Sequence, residues 1–138
     1  MYSDEIIFVD TGSTDGTQEI ARQHGVQVRN FQWVDDFSAA RNFLISQASG
    51  DWIVSPDADE YFARPEILRA FLAEMDITQP AADGVMVISP NIDADCNNQE
   101  INRYPVVRIF RRRVDLRYVG NVHESLWSPR GELSFFME

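Results

Sequence analysis

Short apolar runs alternate with longer stretches of mixed polarity along the chain. The runs have the length of buried strands, which we expect at residues 5–9, 26–30, 52–54, 84–89 and 104–110. Apolar residues at helical spacing and helix-start signals predict helices at about residues 17–24, 38–48 and 65–75. A turn at Ser128–Gly131 predicts that residues 132–136 return as a hairpin strand. This alternation of strands and helices is typical of an α/β protein.

The third predicted strand leads into a cluster of carboxylates. Pro56 ends the apolar run, and Asp57, Asp59 and Glu60 follow it. Carboxylates this close repel one another, and a divalent cation removes that cost. In an extended loop Asp57 and Asp59 point to one side, while Glu60 faces elsewhere. Such oxygen ligands, off the carboxyl end of a strand, suit Mg²⁺ or Mn²⁺ with substrate phosphates, and the alternative is an acidic turn that binds nothing.

The first predicted strand leads into a loop of small residues. This loop, Asp10–Thr17, contains Gly12 and Gly16, which allow tight turns and close approach of a ligand. A strand, such a loop and a helix together suit a phosphate or a nucleotide. The spacing is neither that of a P-loop nor that of a dinucleotide-binding motif. Because Asp10 and Asp15 would repel a bare phosphate, we expect them to hold a base, a ribose or a metal.

Arginine side chains are further candidates. Arg41 lies one turn inside the second predicted helix, which Asp36 or Ser38 can cap. Its guanidinium could reach a pyrophosphate, or it could pair with Asp35 or Asp36. Arg111 opens a run of three arginines, which either forms a solvated turn or clamps a diphosphate with bidentate geometry.

Two more polar motifs follow in the second half of the chain. His123 stands beside Glu124 and could act with it as metal ligand and general base, or could be a structural histidine. A second Asp-x-Asp, at Asp93 and Asp95, lies in the polar stretch 91–102. We expect that stretch to be a solvated loop, with contact to an acceptor as the alternative.

Composition narrows the functional class. The 138 residues are 44% hydrophobic and 25% charged, which is typical of one globular domain. The net charge of −10 argues against nucleic acid as a partner, because phosphate backbones bind basic surfaces. All 12 basic residues counted as Lys or Arg are arginines. The planar guanidinium of arginine is suited to binding phosphates. A single cysteine, Cys96, and the lack of a long apolar run predict a cytoplasmic protein, which could reach a membrane through a partner.

Six segments follow one another in an order that resembles one enzyme family. They are Asp4–Thr17, Trp33–Asn42, Gly50–Val54, Asp57–Glu60, Val107–Arg111 and Gly120–Glu124. Together they cover most of the chain, and their combination is far more specific than any single segment. In this order they resemble family-two glycosyltransferases, in particular the branch with SunS-like peptide glycosyltransferases and bacterial glycan-assembly enzymes.

The resemblance implies a GT-A fold that binds a nucleotide-sugar and a divalent metal. Such a fold has a Rossmann-like, mixed and mainly parallel sheet with helices on both faces. We expect one domain, with a nucleotide-sugar-binding half at residues 1–90 and an acceptor-side hairpin half at residues 91–138. The expected donor is a UDP-sugar with Mn²⁺ or Mg²⁺, and the expected acceptor is a glycan, a lipid-linked molecule or a peptide.

The resemblance also implies roles for individual residues. Asp10 would lie near the uracil or ribose, Asp15 would support that loop, and Asp36 and Arg41 would lie by the nucleotide and diphosphate. With the residues singled out above, the predicted nucleotide-sugar-binding set is Asp10, Gly12, Asp15, Asp36, Arg41, Asp57 and Arg111. The predicted metal ligands are Asp59, Asp57 and His123, with Asp59 the first choice. Glu124 is the candidate for the family's late catalytic carboxylate.

The expected chemistry is an inverting transfer. A base takes the acceptor's proton while the acceptor attacks the anomeric carbon in line. Metal and arginine neutralise the charge that develops on the leaving diphosphate.

One departure from the family concerns the start of the chain. Family members begin with another strand, usually followed by a Lys-Asn-Glu segment that helps to hold the base, whereas Met1–Ser3 here precede the equivalent of the second strand. We therefore expect a truncated chain, a gene fragment or an element supplied by another chain. A missing central strand would expose a sheet edge, which predicts a homodimer or aggregation.

Two alternative functions remain at this stage. The chain could be a non-catalytic or incomplete glycosyltransferase fragment that serves as a binding module. It could also transfer phosphate through Asp10, as haloacid-dehalogenase phosphatases do. Those enzymes need an Asp-x-Asp directly on the first strand and a catalytic lysine, and this sequence has neither.

Overall fold

The computed structural model describes residues 2–93, 95, 97 and 99–137, so Cys96 lies outside the described residues. The elements in chain order are β1 (Ile7–Asp10), α1 (Thr17–Gln23), β2 (Gln27–Asn30), α2 (Phe37–Gln47), β3 (Trp52–Val54), a 3₁₀ turn (Pro65–Ile67), α3 (Leu68–Thr78), β4 (Gly84–Asp93), β5 (Gln99–Arg111), β6 (Arg117–Val119), β7 (Ser125–Trp127) and β8 (Phe135–Met137). The α/β class is confirmed, and the predicted helices and first three strands lie within a few residues of their expected positions.

The chain divides into two compact units. The first comprises Met1–Asp51 and Arg112–Glu132, and the second comprises Trp52–Arg111 and Leu133–Glu138. These boundaries differ from the predicted division at residue 90, and the assignment of donor and acceptor halves stays a prediction. None of the helices in the described parts of either unit has the length and apolar character needed to cross a bilayer.

The first unit is built around helix α2. Strands β1 and β2 pair in parallel, and α2 contacts both β1 and β6. The side-chain amide of Asn42 accepts from the N–H of Tyr118 at 2.8 Å and donates to its carbonyl at 2.9 Å. The hydroxyl of Ser38 donates to the carbonyl of Gly120 at 2.5 Å. Polar side chains on one face of α2 therefore hold β6 and the turn that leads to its antiparallel partner, β7.

The second unit contains a four-stranded sheet and helix α3. Its strand order is β3-β5-β4-β8, and its core consists of Met75, Ala82, Val85 and Ile109. Val85 and Ile109 are almost fully buried on neighbouring strands. Burial of a side chain of this size contributes about 1.5–3 kcal/mol. This packing fixes β4 against β5, and β5 in turn carries the arginine that binds the acidic residues after β3.

Three structural expectations are wrong. The sheet is not mainly parallel, because among the described strands β3–β5, β4–β5 and β6–β7 are antiparallel and only β1–β2 and β4–β8 are parallel. Residues 91–93 and 99–102 do not form a loop, since they are the ends of β4 and β5 and pair with each other as a ribbon. Its exposed residues lack the alternation that would have predicted strands. Finally, β8 pairs in parallel with β4 and does not form a hairpin.

Candidate functional site

The loop after β1 is organised by the carboxylate of Asp10. This residue is only 3% exposed. Its Oδ2 accepts hydrogen bonds from the N–H groups of Gly12 at 2.9 Å and Ser13 at 3.0 Å, and from the side-chain amide of Gln18 at 2.7 Å. Gly12 has a φ of 123°, a conformation that other residues rarely adopt. Sequence analysis predicted Asp10 and Gly12 but missed Gln18, whose role depends on the fold of α1.

The two oxygens of Asp10 have different surroundings. The hydroxyl of Ser13, followed by the N–H groups of Gly12 and Ser13, lowers the pKa of Asp10 although burial opposes this effect. Asp10 is therefore an anion at neutral pH. Its second oxygen, Oδ1, is buried and accepts no hydrogen bond from any described residue. An unsatisfied buried acceptor costs about 1–3 kcal/mol, so a ligand with an N–H donor would be stabilised at this atom.

Asp15 holds the start of α1. Its Oδ1 accepts from the hydroxyl of Thr17 at 2.6 Å and from the Thr17 N–H at 3.1 Å. These bonds, the one from the hydroxyl first, lower the pKa of Asp15. The N-cap position itself is Gly16, with a φ of 85°. Asp15 thus connects the loop to the helix that carries Gln18.

Helix α2 carries Arg41, which binds Glu124, the carboxylate predicted to be catalytic. Asp36 caps the helix by accepting from the N–H of Ala39 at 3.1 Å, as one of the two predicted caps. Arg41 Nε forms an ion pair with Glu124 Oε1, and the two side chains are 22% and 12% exposed. Arg41 also lies over the ring of Tyr118, 5.4 Å from its centroid. Glu124 was not predicted as the partner of Arg41, because the two residues lie 83 positions apart in the sequence.

His123, next to Glu124, is exposed and has a φ of 57°. This left-handed backbone conformation is uncommon for a residue other than glycine. The turn therefore sends two adjacent side chains to different surroundings, with Glu124 mostly buried against Arg41 and His123 in solvent. The role of His123 as a metal ligand stays a prediction.

The carboxylates after β3 form a closed turn rather than an extended loop. The N–H of Glu60 donates to the carbonyl of Asp57 at 3.0 Å, and the N–H of Asp57 donates to Glu60 Oε2 at 2.9 Å. We refer to Asp57–Glu60 as the acidic turn. Arg108 Nη2 binds Asp57 Oδ2 at 2.5 Å and Glu60 Oε1 at 2.7 Å. The expectation that Glu60 faces away from Asp57 is wrong, because the shared guanidinium draws Asp57 and Glu60 together, while the expectation that Asp57 and Asp59 point to one side stays a prediction.

Asp59 is the exposed carboxylate of the acidic turn. Within the described part of the chain, its side chain takes part in no hydrogen bond or ion pair. The described residues also contain no group of three or more His, Cys, Asp or Glu side chains arranged as a metal cage. An exposed carboxylate is the kind of ligand that Mg²⁺ takes from a protein in nucleotide sites, where one or two carboxylates act with substrate phosphates, and a metal at Asp59 stays a prediction.

Arg111 makes three contacts within the second unit. Its guanidinium lies 4.2 Å from the ring centroid of Trp52, Nη1 binds Asp76 Oδ1 at 2.5 Å, and Nε donates to the carbonyl of Ala82 at 2.9 Å. Its neighbours in the run also bind protein acceptors, namely Arg112 the carbonyl of Gly50 and Arg113 the carboxylate of Asp115. The run is therefore not simply a solvated turn, and a diphosphate contact of Arg111 stays a prediction.

Comparison with known proteins identifies the family to which these motifs belong. The family described as Glycosyl transferase family 2 matches residues 1–128. The chain belongs to this family. The matched residues include both the Asp10 loop and the acidic turn. The resemblance of the six segments is therefore confirmed at the level of the family.

Several family relatives have names that describe them further. A TPR repeat-containing protein of Synechococcus elongatus is 38% identical over 122 residues, which is 88% of this chain and 28% of the relative. The SPbeta prophage-derived glycosyltransferase SunS of Bacillus subtilis is 29% identical over 133 residues, or 95% of this chain and 30% of the relative. An uncharacterized glycosyltransferase of Rickettsia prowazekii is 40% identical over 58 residues. The chain thus spans less than a third of the length of these relatives.

Sequence reasoning missed Arg108, although the sequence contains a signal for it. Arg108 is the charged residue within the otherwise apolar run Val106–Phe110, which is part of strand β5. A charge within a buried strand needs a partner, and such a charge indicates that acidic groups lie nearby. The identity of those groups, Asp57 and Glu60, follows only from the pairing of β3 with β5.

Proposed function

We propose that this chain carries the nucleotide-sugar-binding and catalytic residues of a metal-dependent, inverting glycosyltransferase. The observation that carries the proposal is the carboxylate of Asp10. It is buried, it is anionic at neutral pH, and its Oδ1 accepts no hydrogen bond from the described residues. Together with the family match, this favours a ligand that brings an N–H group to Asp10.

The acceptor atom Oδ1 of Asp10 favours one nucleotide base over another. Uracil presents its ring N3–H, which can donate to Asp10 Oδ1, whereas cytosine presents a lone pair at the same ring position. A carboxylate oxygen would repel that lone pair, so UDP should bind in preference to CDP. We therefore propose a UDP-sugar as the donor.

Glu124 supplies the general base in this proposal. Its carboxylate is bound by Arg41 through Oε1, and a carboxylate can accept a proton from an acceptor hydroxyl. Because the Arg41 side chain comes from α2 and is mostly buried, it also fixes the orientation of the carboxylate.

The acidic turn holds the metal in this proposal. Asp59 is the exposed ligand, and Asp57 is kept in place by Arg108. Bound Mn²⁺ or Mg²⁺ would supply positive charge against the leaving diphosphate. The acceptor, which we propose to be a glycan, a lipid-linked molecule or a peptide, takes the sugar.

Calorimetry with UDP, CDP and Mn²⁺ tests the donor site. We expect UDP with Mn²⁺ to bind at least about tenfold more tightly than CDP with Mn²⁺, and Asp10→Asn to remove that preference. Asp59→Ala should abolish the dependence of UDP binding on Mn²⁺. Asp95, an exposed aspartate of the second Asp-x-Asp, provides the matched control, and Asp95→Ala should bind as the wild type does. No heat with any nucleotide, at concentrations far above the expected affinity, would overturn the proposal.

A second candidate function is nucleotide-sugar binding without turnover. The ion pair between Arg41 and Glu124 favours it, because the carboxylate oxygen that Arg41 binds is already occupied and is not open to the proton of an acceptor. Measuring UDP release from UDP-sugars, with glycan and peptide acceptors supplied and with water as the background acceptor, separates the two functions. Release that disappears in Glu124→Gln while UDP binding persists supports the transferase, and tight binding without release in the wild type supports the binding module.

A further inference from the structure

A β-bulge in strand β5 redirects one arginine side chain. Val85 pairs with Ile109, and the next residue of β4, Met86, pairs with Val107. Arg108 is therefore the extra residue on β5 at this point. A bulge bends its strand and re-aims the side chain at the irregularity, which would otherwise follow the regular alternation of the sheet.

The backbone of Arg108 is tied to the segment that leads into the acidic turn. Its carbonyl accepts from the N–H of Ser55 at 2.8 Å, which extends the pairing of β3 with β5 by one bond. Ser55 is itself buried and lies two residues before Asp57. Strand pairing thus places the guanidinium and the turn at a fixed separation.

The guanidinium of Arg108 contacts two carboxylates at once. Its side chain is 13% exposed, Nη2 binds both Asp57 Oδ2 and Glu60 Oε1, and Nε lies 2.7 Å from Glu60 Oε2. One positive charge therefore serves two negative charges, while Asp59 extends into solvent from the same turn. Hydrogen bonds between charged groups in this geometry are stronger and more directional than neutral ones.

We propose that Arg108 is the positioning residue of the acidic turn. It contacts one oxygen of Asp57 and both oxygens of Glu60, so that the exposed Asp59 is the first carboxylate offered to the cation, in the geometry that a metal-bound nucleotide requires. This inference rests on the proposed function for its nucleotide, but its effect on the cation is separate. Without Arg108, the carboxylates of Asp57 and Glu60 lose the positive charge beside them, and they bind a bare cation more tightly but in an arrangement unsuited to the nucleotide.

The same strand offers a matched control. Arg103 forms a two-point ion pair with Glu100, with Nε–Oε1 at 2.6 Å and Nη2–Oε2 at 2.8 Å. This pair is exposed, at 66% and 40% for the two side chains, and it lies outside the acidic turn. Arg103→Met therefore removes an arginine–carboxylate pair and one positive charge from β5 without releasing Asp57 or Glu60.

The test measures Mn²⁺ alone by electron paramagnetic resonance and UDP with Mn²⁺ by calorimetry. In Arg108→Met we expect Mn²⁺ alone to bind about fivefold more tightly, because a nearby positive charge has gone. We expect UDP with Mn²⁺ to bind at least about tenfold more weakly, because the turn is no longer positioned. Arg103→Met should leave both affinities within about twofold of wild type. Loss of structure alone would not tighten the binding of Mn²⁺, so the opposite signs distinguish positioning from folding.

Arg108→Lys keeps the charge and removes the two-point geometry. We expect it to leave the affinity for Mn²⁺ alone near the wild-type value and to weaken UDP with Mn²⁺ to an intermediate extent. If circular dichroism shows Arg108→Met to be unfolded, Arg108→Lys tests the inference instead, by the same measurements of Mn²⁺ alone and of UDP with Mn²⁺. Wild-type affinities of Arg108→Lys in both measurements would overturn the inference. If wild type binds no nucleotide, the proposed function fails, and unchanged Mn²⁺ binding in Arg108→Met would separately overturn the role of Arg108.

Discussion

The Asp10 loop and the acidic turn hold their carboxylates by different means. In the Asp10 loop, the hydrogen-bond donors come from residues two, three and eight positions along the chain. In the acidic turn, the cation comes from Arg108, which is 51 residues from Asp57 and 48 from Glu60. The first arrangement is a property of a short segment, and the second exists only after β3 has paired with β5.

This difference has consequences for ligand binding. Neutral N–H groups surround one oxygen of Asp10, so its negative charge persists and selects a hydrogen-bond donor. The guanidinium of Arg108 carries a full positive charge and contacts both Asp57 and Glu60. Much of the negative charge of these two carboxylates is therefore compensated before a cation arrives. We therefore expect the Asp10 loop to determine which base binds, and the acidic turn to determine how a metal is presented.

The largest expected effect comes from disturbing the strand pairing in the second unit. In Gly84→Ala, the new Cβ would lie 2.5 Å from the carbonyl oxygen of Ile109, next to the bulge at Arg108. Because backbone must move to relieve this contact, the free energy of unfolding should fall by about 3 kcal/mol, measured by urea denaturation. The acidic turn should loosen with it, so Mn²⁺ binding should change as well. Wild-type stability would show that β4 and β5 separate here without cost.

A smaller effect is expected in the Asp10 loop. Gly12→Ala meets no atom within 4 Å, so its cost arises only from a φ of 123°. We expect a loss of about 1–2 kcal/mol in the free energy of unfolding, again by urea denaturation. Gly131→Ala is the matched control, because it has a similar φ of 117° and equally open surroundings. Both variants should lose similar stability, but only Gly12→Ala should weaken UDP, and equal UDP affinities would contradict the role of the loop.

The smallest effect concerns acid. The pKa of Asp10 is lowered in the folded state, so its contribution is complete above the unfolded value of about 3.9 and is lost as pH falls through the folded value. Wild type should therefore lose more stability between about pH 5 and pH 3 than Asp10→Asn does, measured by urea denaturation at each pH. Carboxyl-carbon NMR titration should give Asp10 a pKa below that of an unfolded aspartate. Parallel pH dependences of the two proteins would remove Asp10 from this account.

Sequence patterns predicted the parts of the fold that depend on neighbouring residues. The helices, the first three strands, the Asp36 cap and the Asp10 loop all follow from periodicity, small residues and turn chemistry within a few positions. The inner parts of β4 and β5 were predicted, but their outer ends escaped prediction because the residues there are mostly exposed and show no apolar alternation. The parallel partner of β8 escaped because a turn signal does not identify which strand lies beside the returning chain.

The sequence by itself determined the family, the α/β class and the residue types that could meet a nucleotide, because motifs and periodicity are local. Only the tertiary structure decided that Arg41 binds Glu124 and that Arg108 joins Asp57 to Glu60. Each of these pairs unites residues far apart in the chain, and many carboxylates could have served as partners for a given arginine. The register of β3 with β5 and a one-residue bulge made the choice for Arg108, and the packing of α2 against β6 made it for Arg41.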